Sequence, residues 1–244
     1  RFFEELNYKA ATNIGLEAPS IVEQFNKRHV NHASKTELLI NWVANKETKT
    51  EKRNSIRDKY DLNKKIIFFY GGNIGVGQDV ENIVRLAENM KQINNVIFVI
   101  LGTGTEREKI FKMIQRKNLN ENIIFAEGVE QKIYMDYLTE IDIGLISLNK
   151  NTRGHNIPGK ILNYARMGIP ILGSVNQGND IIRIINENNA GIVVENGDDK
   201  TFAKAASSFL EESFRSKKSI GSNSLVEKIF SVDVALKKIL EKID

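Results

Sequence analysis

The chain has 244 residues, of which 41% are hydrophobic, with no cysteine and a formal net charge of +4. This suits one large domain, or one and a half, with a sizeable core, and it excludes a disulfide framework and thiolate metal or redox chemistry. Apolar runs such as Val96–Leu101 fall far short of the about 20 residues a membrane-spanning helix needs. The basic excess lies at the two chain ends without the interleaved aromatics of a nucleic-acid groove, so it reads as solvated surface charge or as peripheral contact with an anionic membrane.

The opening "RFFEELNYKAATN" has no signal-peptide layout, and the chain reads as a piece of something longer. A weak strand over 12–17, a helix that Pro19 and Ser20 can start, and a second strand "TELLINWV" make one strand–helix–strand unit, too small to bury its own apolar faces. Residues 1–48 are therefore expected to be the end of another domain and the crossover from it. The charged stretch "ANKETKTEKRNS" is expected to open a linker over 49–64.

From residue 65 the pattern becomes regular. Apolar runs at 66–70, 96–101, 123–126, 143–148, 169–173 and 191–194 alternate with helical periodicity at 79–92, 106–117, 131–140, 158–167, 180–188 and 201–214. Continuously apolar strands separated by helices predict an α/β fold, a doubly wound parallel six-stranded Rossmann-like sheet covered on both faces. This domain is expected over 65–230, with a C-terminal helix over 231–244.

Ligands of such sheets bind beyond the carboxyl ends of the strands, so chemistry is expected in the loops there. The first loop holds Gly71, Gly72, Gly75 and Gly77. It allows close approach of a ligand to the backbone, and free N–H groups at the following helix start favour a phosphate; a plain tight turn accounts for the glycines equally well. No Gly-Lys-Ser/Thr follows, and Arg107 stands where a dinucleotide fingerprint begun at Gly102 and Gly104 wants a small residue, which disfavours nicotinamide.

The longest loop holds Arg153, His155 and Lys160. Pro158 suits the first turn of a helix, which puts Lys160 near a helix N-terminus, where a cation is unfavourable unless an anion is bound. The alternative is a solvated surface lysine. Asn163 lies one turn on and is expected on the same face, unless it is a plain surface asparagine. His155 has no second histidine at metal-ligand spacing, so no metal site is expected. No G-x-S-x-G elbow, Ser-His-Asp arrangement or assignable carboxylate pair is present.

Taken in order, "YGGNIG", "VIFVILGTG", "IIFAEGV", "DIGLISL" and "PGKILNYARMGIPIL" resemble the C-terminal, donor-nucleotide-binding domain of family 4 glycosyltransferases with the GT-B fold. The resemblance is nearest to bacterial O-antigen and capsule enzymes that transfer N-acetylated amino sugars such as L-fucosamine, and it covers about residues 1–240. It implies a UDP-sugar donor as substrate, retention of configuration and no required cofactor or metal. It also implies a lipid-linked glycan acceptor bound mainly by the N-terminal domain, without which the chain is expected to be inactive, and a place in the cytoplasm at the inner face of the plasma membrane.

By residue, the resemblance implies that Gly72, Asn73, Ile74 and Gly75 approach the diphosphate, that Gly102 and Gly104 border the nucleoside, and that Gly128 and Val129 meet the uracil. Many relatives carry a Lys or Arg in the first loop, where this chain has Val76-Gly77-Gln78, so Lys160, with Ile161 beside it and Arg153 in the same loop, becomes the charged diphosphate contact. Many relatives also carry two glutamates eight residues apart before a G-x-P. Aligning on Gly168-Ile169-Pro170 puts His155 and Asn163 there. Asn163 can still bond a ribose hydroxyl; His155 takes the catalytic position but is no carboxylate. Two rival readings stay open: another GT-B enzyme such as a nucleotide-sugar 2-epimerase, and a non-catalytic α/β interaction domain.

Overall fold

The computed structural model describes residues 2–44, 54–152 and 154–241. A small unit comes first: α1 (Phe2–Ala10), β1 (Ile14–Leu16), α2 (Pro19–Arg28), a 3-10 turn at Val30–Lys35 and β2 (Thr36–Leu38), with β1 and β2 paired in parallel. Helix α1 is absent from the sequence reading, because its apolar residues Phe2, Phe3 and Leu6 are exposed and draw no buried stripe. It is held from its other end. Tyr8 packs edge-on against Phe25 of α2, and the Lys35 ammonium donates to the carbonyls of Tyr8, Lys9 and Ala11, where a cation complements a helix C-terminus. The second strand is shorter than expected. The chain runs on from it to Val43, which bridges Ser231.

Most of "ANKETKTEKRNS" lies outside the described residues. From Asn54 the chain is already packed, within the stretch expected as a linker. Helix α3 (Ile56–Tyr60) starts on a Ser55 cap and buries Ile56. Arg57 donates to the carbonyls of Glu140, Leu62 and Lys65 and pairs with Asp142 at 2.7 Å, while the same carboxylate oxygen accepts the Ile67 N–H. One guanidinium thus ties α3 to the lower end of the sheet.

The main sheet contains β3 (Ile66–Gly71), β4 (Val96–Leu101), β5 (Ile123–Ala126), β6 (Ile143–Ser147), β7 (Ile171–Val175) and β8 (Gly191–Glu195). All are parallel, in the order β5-β4-β3-β6-β7-β8, so the expected doubly wound fold is present. Alternate residues of β3 feed opposite layers. Ile67 and Phe69 join the core under α6 (Gln131–Leu138), α7 (Lys160–Arg166) and α8 (Asp180–Glu187). Phe68 and Tyr70 join the core under α4 (Val80–Asn89), α5 (Arg107–Arg116) and α9 (Asp199–Ser208).

The helix expected over 201–214 is two helices. After α9 the chain turns at the buried Phe209, whose carbonyl takes the Arg215 guanidinium, and α10 (Glu212–Leu225) begins. A π-helical turn, Val226–Phe230, leads to α11 (Val232–Leu240), which returns to the small unit and donates from Lys238 to the Leu38 carbonyl.

Removing the Arg57 clamp by Arg57→Ala leaves a half-buried Asp142 and three carbonyls short of their donor. We expect a loss of about 2–4 kcal/mol in urea unfolding, with Arg57→Lys recovering only part of it. A loss below about 1 kcal/mol would show that Ile56 and the bonds of Ser55 and the Arg57 N–H to Glu140 hold α3 without the guanidinium.

Candidate functional site

The strand order reverses between β3 and β6, and the crevice of a doubly wound sheet opens at that point. The loops after these two strands are tied together. Asn149 donates its N–H to the Gly77 carbonyl at 2.9 Å and its side-chain amide to Val76, and the Ser147 hydroxyl donates to the Asp79 carbonyl.

The glycine-rich turn does not run straight into a helix. A 3-10 turn (Val76–Gln78) and Asp79, at φ 41° and ψ 56°, come between it and α4. The Asp79 carboxylate accepts from Asn196 at 2.8 Å. The Asp79 carboxylate is thus turned to Asn196 and makes no capping bond to α4, and a negative charge of the protein itself lies near that helix start.

What the turn offers instead is an alternating edge. The N–H groups of Gly72 and Ile74 donate to the carbonyls of Leu101 and Thr103, at 2.9 and 2.7 Å. Those of Asn73 and Gly75 donate to no described residue. Bonded and free N–H groups thus alternate along a turn that Gly72 enters at φ 146°, and Gly102 and Gly104 permit the contact. A Cβ on Gly102 would lie 1.8 Å from the Gly72 carbonyl oxygen, and one on Gly104 would lie 2.3 Å from that of Ile74. Close packing of two backbones accounts for both glycines without a nucleoside.

Gly128 joins the same cluster, since a Cβ there would lie 3.9 Å from the Gly102 Cα. Arg107, which spoils the dinucleotide fingerprint, stitches these loops from below. It donates to the carbonyls of Gly102 and Ala126, pairs with Glu127 at 2.8 Å and lies over the Phe125 ring.

Lys160 is the first residue of α7, as the position of Pro158 led us to expect, but it is half-buried rather than a freely solvated lysine. Its ammonium lies 3.4 Å from the centroid of the Tyr70 ring and 3.2 Å from where a Gly72 Cβ would stand. Among the described residues it has neither a carboxylate nor a hydrogen-bond acceptor. Loss of water around it pulls its pKa down to about 7. Tyr70, whose hydroxyl donates to the Asn73 carbonyl at 2.6 Å, is a residue that sequence reasoning missed. The available signal was a hydroxyl-bearing aromatic closing a buried strand directly before two glycines. Tyr134 lies against Gly71, and Tyr164 reaches the Phe69 carbonyl at 3.3 Å. Burial raises the pKa of both phenols, that of Tyr134 to about 12.

The remaining candidates are scattered. Ile161 and Ile74 are fully buried core residues, and the Ile161 N–H goes to Pro158, so neither side chain is free for a ligand. Val129 is half-buried against the core. His155 rests against Gly178 in the loop after β7, with its Nδ1 enclosed and unpartnered among the described residues. Asn163 does not stand with Lys160 against Tyr70. It lines a groove of about 1020 Å³ between α6 and α7, with Gln131, Lys132 and Arg166. Arg153 lies outside the described residues. Among those described, no group of three or more His, Asp or Glu is arranged to hold a metal ion, and no helix is long and apolar enough to cross a membrane.

The family model for glycosyl transferases group 1 matches residues 52–225. This chain belongs to that family. WcaI of Escherichia coli (strain K12), named as a glycosyl transferase of colanic acid biosynthesis, is 30% identical over 116 residues, covering 47% of this chain and 28% of WcaI. A TarM mutant of S. aureus, in complex with Fondaparinux, alpha-GlcNAc-glycerol and UDP, superposes with a TM-score of 0.77 at 14% identity, over 100% of this chain and 47% of its own. Anabaena Alr3699/HepE, in complex with UDP and glucose, gives 0.76 at 13% identity, over 98% of this chain and 64% of its own. At such identities the likeness establishes the shared fold alone. The chain spans less than two thirds of each of these relatives.

The two-backbone contact makes a sharp expectation for the glycines. Gly102→Ala should destabilise the domain by more than about 3 kcal/mol or prevent folding, because the new methyl meets a carbonyl oxygen. Gly77→Ala meets nothing within 4 Å and should stay within about 0.5 kcal/mol. Thermal unfolding of the two variants decides it. Similar melting temperatures would mean that the turn and the β4–α5 loop are not locked together.

Proposed function

We propose that this chain binds the UDP moiety of an activated sugar at the mouth of β3 and β6, as the donor-binding part of a glycosyltransferase. The observation that carries the reading is the Lys160 ammonium. It is unpaired among the described residues, it is half-buried, and it is packed over the Tyr70 ring beside Gly72. A cation in that state gains from any anion that reaches it, and the free N–H groups of Asn73 and Gly75 supply further donors. UDP in the TarM and HepE structures supports the choice of nucleotide.

In the reaction, departure of UDP from the sugar leaves negative charge on the diphosphate. Lys160 stabilises that charge as it develops, which is the electrostatic form of catalysis. Gly128 and Val129 are assigned to the base; a ribose contact by Asn163 would require its side chain to turn from the groove beside α6 toward the subsite. The finer reading is an N-acetylamino sugar, transferred with retention to a lipid-linked glycan in surface polysaccharide synthesis at the inner membrane face. Support for it comes from the colanic acid role in the name of WcaI and the alpha-GlcNAc-glycerol bound by TarM.

Titration calorimetry with UDP, GDP, NAD and uridine tests the reading. UDP should bind and NAD should not. A hydrogen bond to a charged group contributes about 1.5–3 kcal/mol, so Lys160→Gln should weaken UDP roughly ten- to hundredfold and leave uridine nearly unchanged. Absence of binding by every nucleotide would favour an interaction domain, and equal loss of UDP and uridine would remove Lys160 from the phosphates. Anomeric analysis of the product formed by a protein containing this chain separates transfer with retention from inversion and from epimerisation.

A further inference from the structure

Tyr70 touches both halves of the anion subsite. Its ring belongs to the core under α4, α5 and α9, yet its face carries the ammonium of Lys160, which opens α7 in the opposite layer. Its hydroxyl is spent on the Asn73 carbonyl, in the middle of the glycine-rich turn. The cation and the turn are therefore placed by one side chain. The ring satisfies the ammonium only through its quadrupole, and no described carboxylate neutralises it.

We infer that Tyr70 is the positioning residue of this subsite, and that an arriving diphosphate completes the Tyr70–Lys160 pair by drawing a proton from solvent onto the Lys160 amine. The inference rests on the proposed UDP reading and adds to it a proton that enters with the ligand.

The balance is simple. Before binding, a large share of Lys160 is the neutral amine, since burial holds its pKa at about 7. After binding, the phosphate oxygens favour the ammonium and raise that value. Affinity is then flat below pH 7 and falls as pH rises above it, until the pKa of the complex is reached. The other titratable groups of the cluster are the phenols of Tyr70, Tyr134 and Tyr164. Burial holds all three well above neutrality, so they stay protonated throughout this window. The terminal phosphate of UDP loses its last proton near about pH 6, below the window. His155 lies against Gly178, and any contribution from it persists when Lys160 alone is changed.

Calorimetry with UDP from pH 7 to 9, repeated at each pH in two buffers of different ionisation enthalpy, reads both affinity and proton uptake. Wild type should take up close to one proton per UDP at pH 8 and lose roughly fiftyfold in affinity from pH 7 to 9. Lys160→Arg, which stays charged, should bind UDP with no uptake and a flat profile over that range. Tyr70→Phe keeps the ring and should keep the uptake, while loss of the bond to Asn73 weakens UDP about two- to tenfold at every pH. Tyr70→Leu removes the ring and should bind UDP as poorly as Lys160→Gln. If that variant does not fold, Tyr70→Phe and Lys160→Arg still decide the matter. Tight UDP binding by wild type without proton uptake, or with uptake unchanged in Lys160→Arg, overturns the inference and leaves the UDP reading standing. Absence of UDP binding at every pH overturns both.

Discussion

Two peptide backbones that meet with no side chain between them hold the mouth of this sheet together. The turn after β3 lies on the loop after β4, with the Gly72 and Ile74 carbonyls set where side chains on Gly102 and Gly104 would have to go. The neighbouring features build on that contact. Arg107 supports the lower loop through the Gly102 carbonyl, and Gly128 closes on it from the next strand. Tyr70 pins the upper turn at Asn73 and lies under the Lys160 ammonium. The one charge in this cluster without a partner among the described residues therefore stands on a frame fixed by contacts that involve no ligand.

The central sheet was legible because its strands are buried on both faces and read as unbroken apolar runs. Its edges were less so. Helix α1 turns Phe2 and Phe3 outward and is anchored by Lys35, a residue 25 positions beyond its last turn, a contact that no local pattern can show. Helix α3 sits in a charged stretch that composition marks as a linker, and the buried Ile56, the Arg57 clamp and bonds from Asn54 and Ser55 to Asp136 and Glu140 bind it to the domain. The break between α9 and α10 follows from Phe209 entering the core, whereas helical periodicity runs straight through it.

The candidate site was legible in its position and less so in its parts. Topology alone places a crevice between β3 and β6, and Pro158 alone places Lys160 at the start of a helix. The partner of Lys160 could not be read, because Tyr70 lies 90 residues earlier, on the other layer of the sheet. The glycines were visible as a cluster, but sequence cannot show that Gly102 and Gly104 make room for another backbone, whatever else borders them. Asn163 and Lys160 are three apart on one helix, a spacing that suggests a shared face, yet the lysine stem carries its ammonium over Tyr70 while Asn163 lines the groove beside α6.

The alternation of N–H groups along residues 72–75 has a thermodynamic side. Half of them are already bonded to the neighbouring loop, so the other half are held in direction before anything arrives. A flexible phosphate loop must lose backbone freedom when it closes on its ligand, at roughly 1–2 kcal/mol for each residue it orders. Here the folding of the sheet has already fixed the turn, so a molecule bound against it would not have to order that backbone.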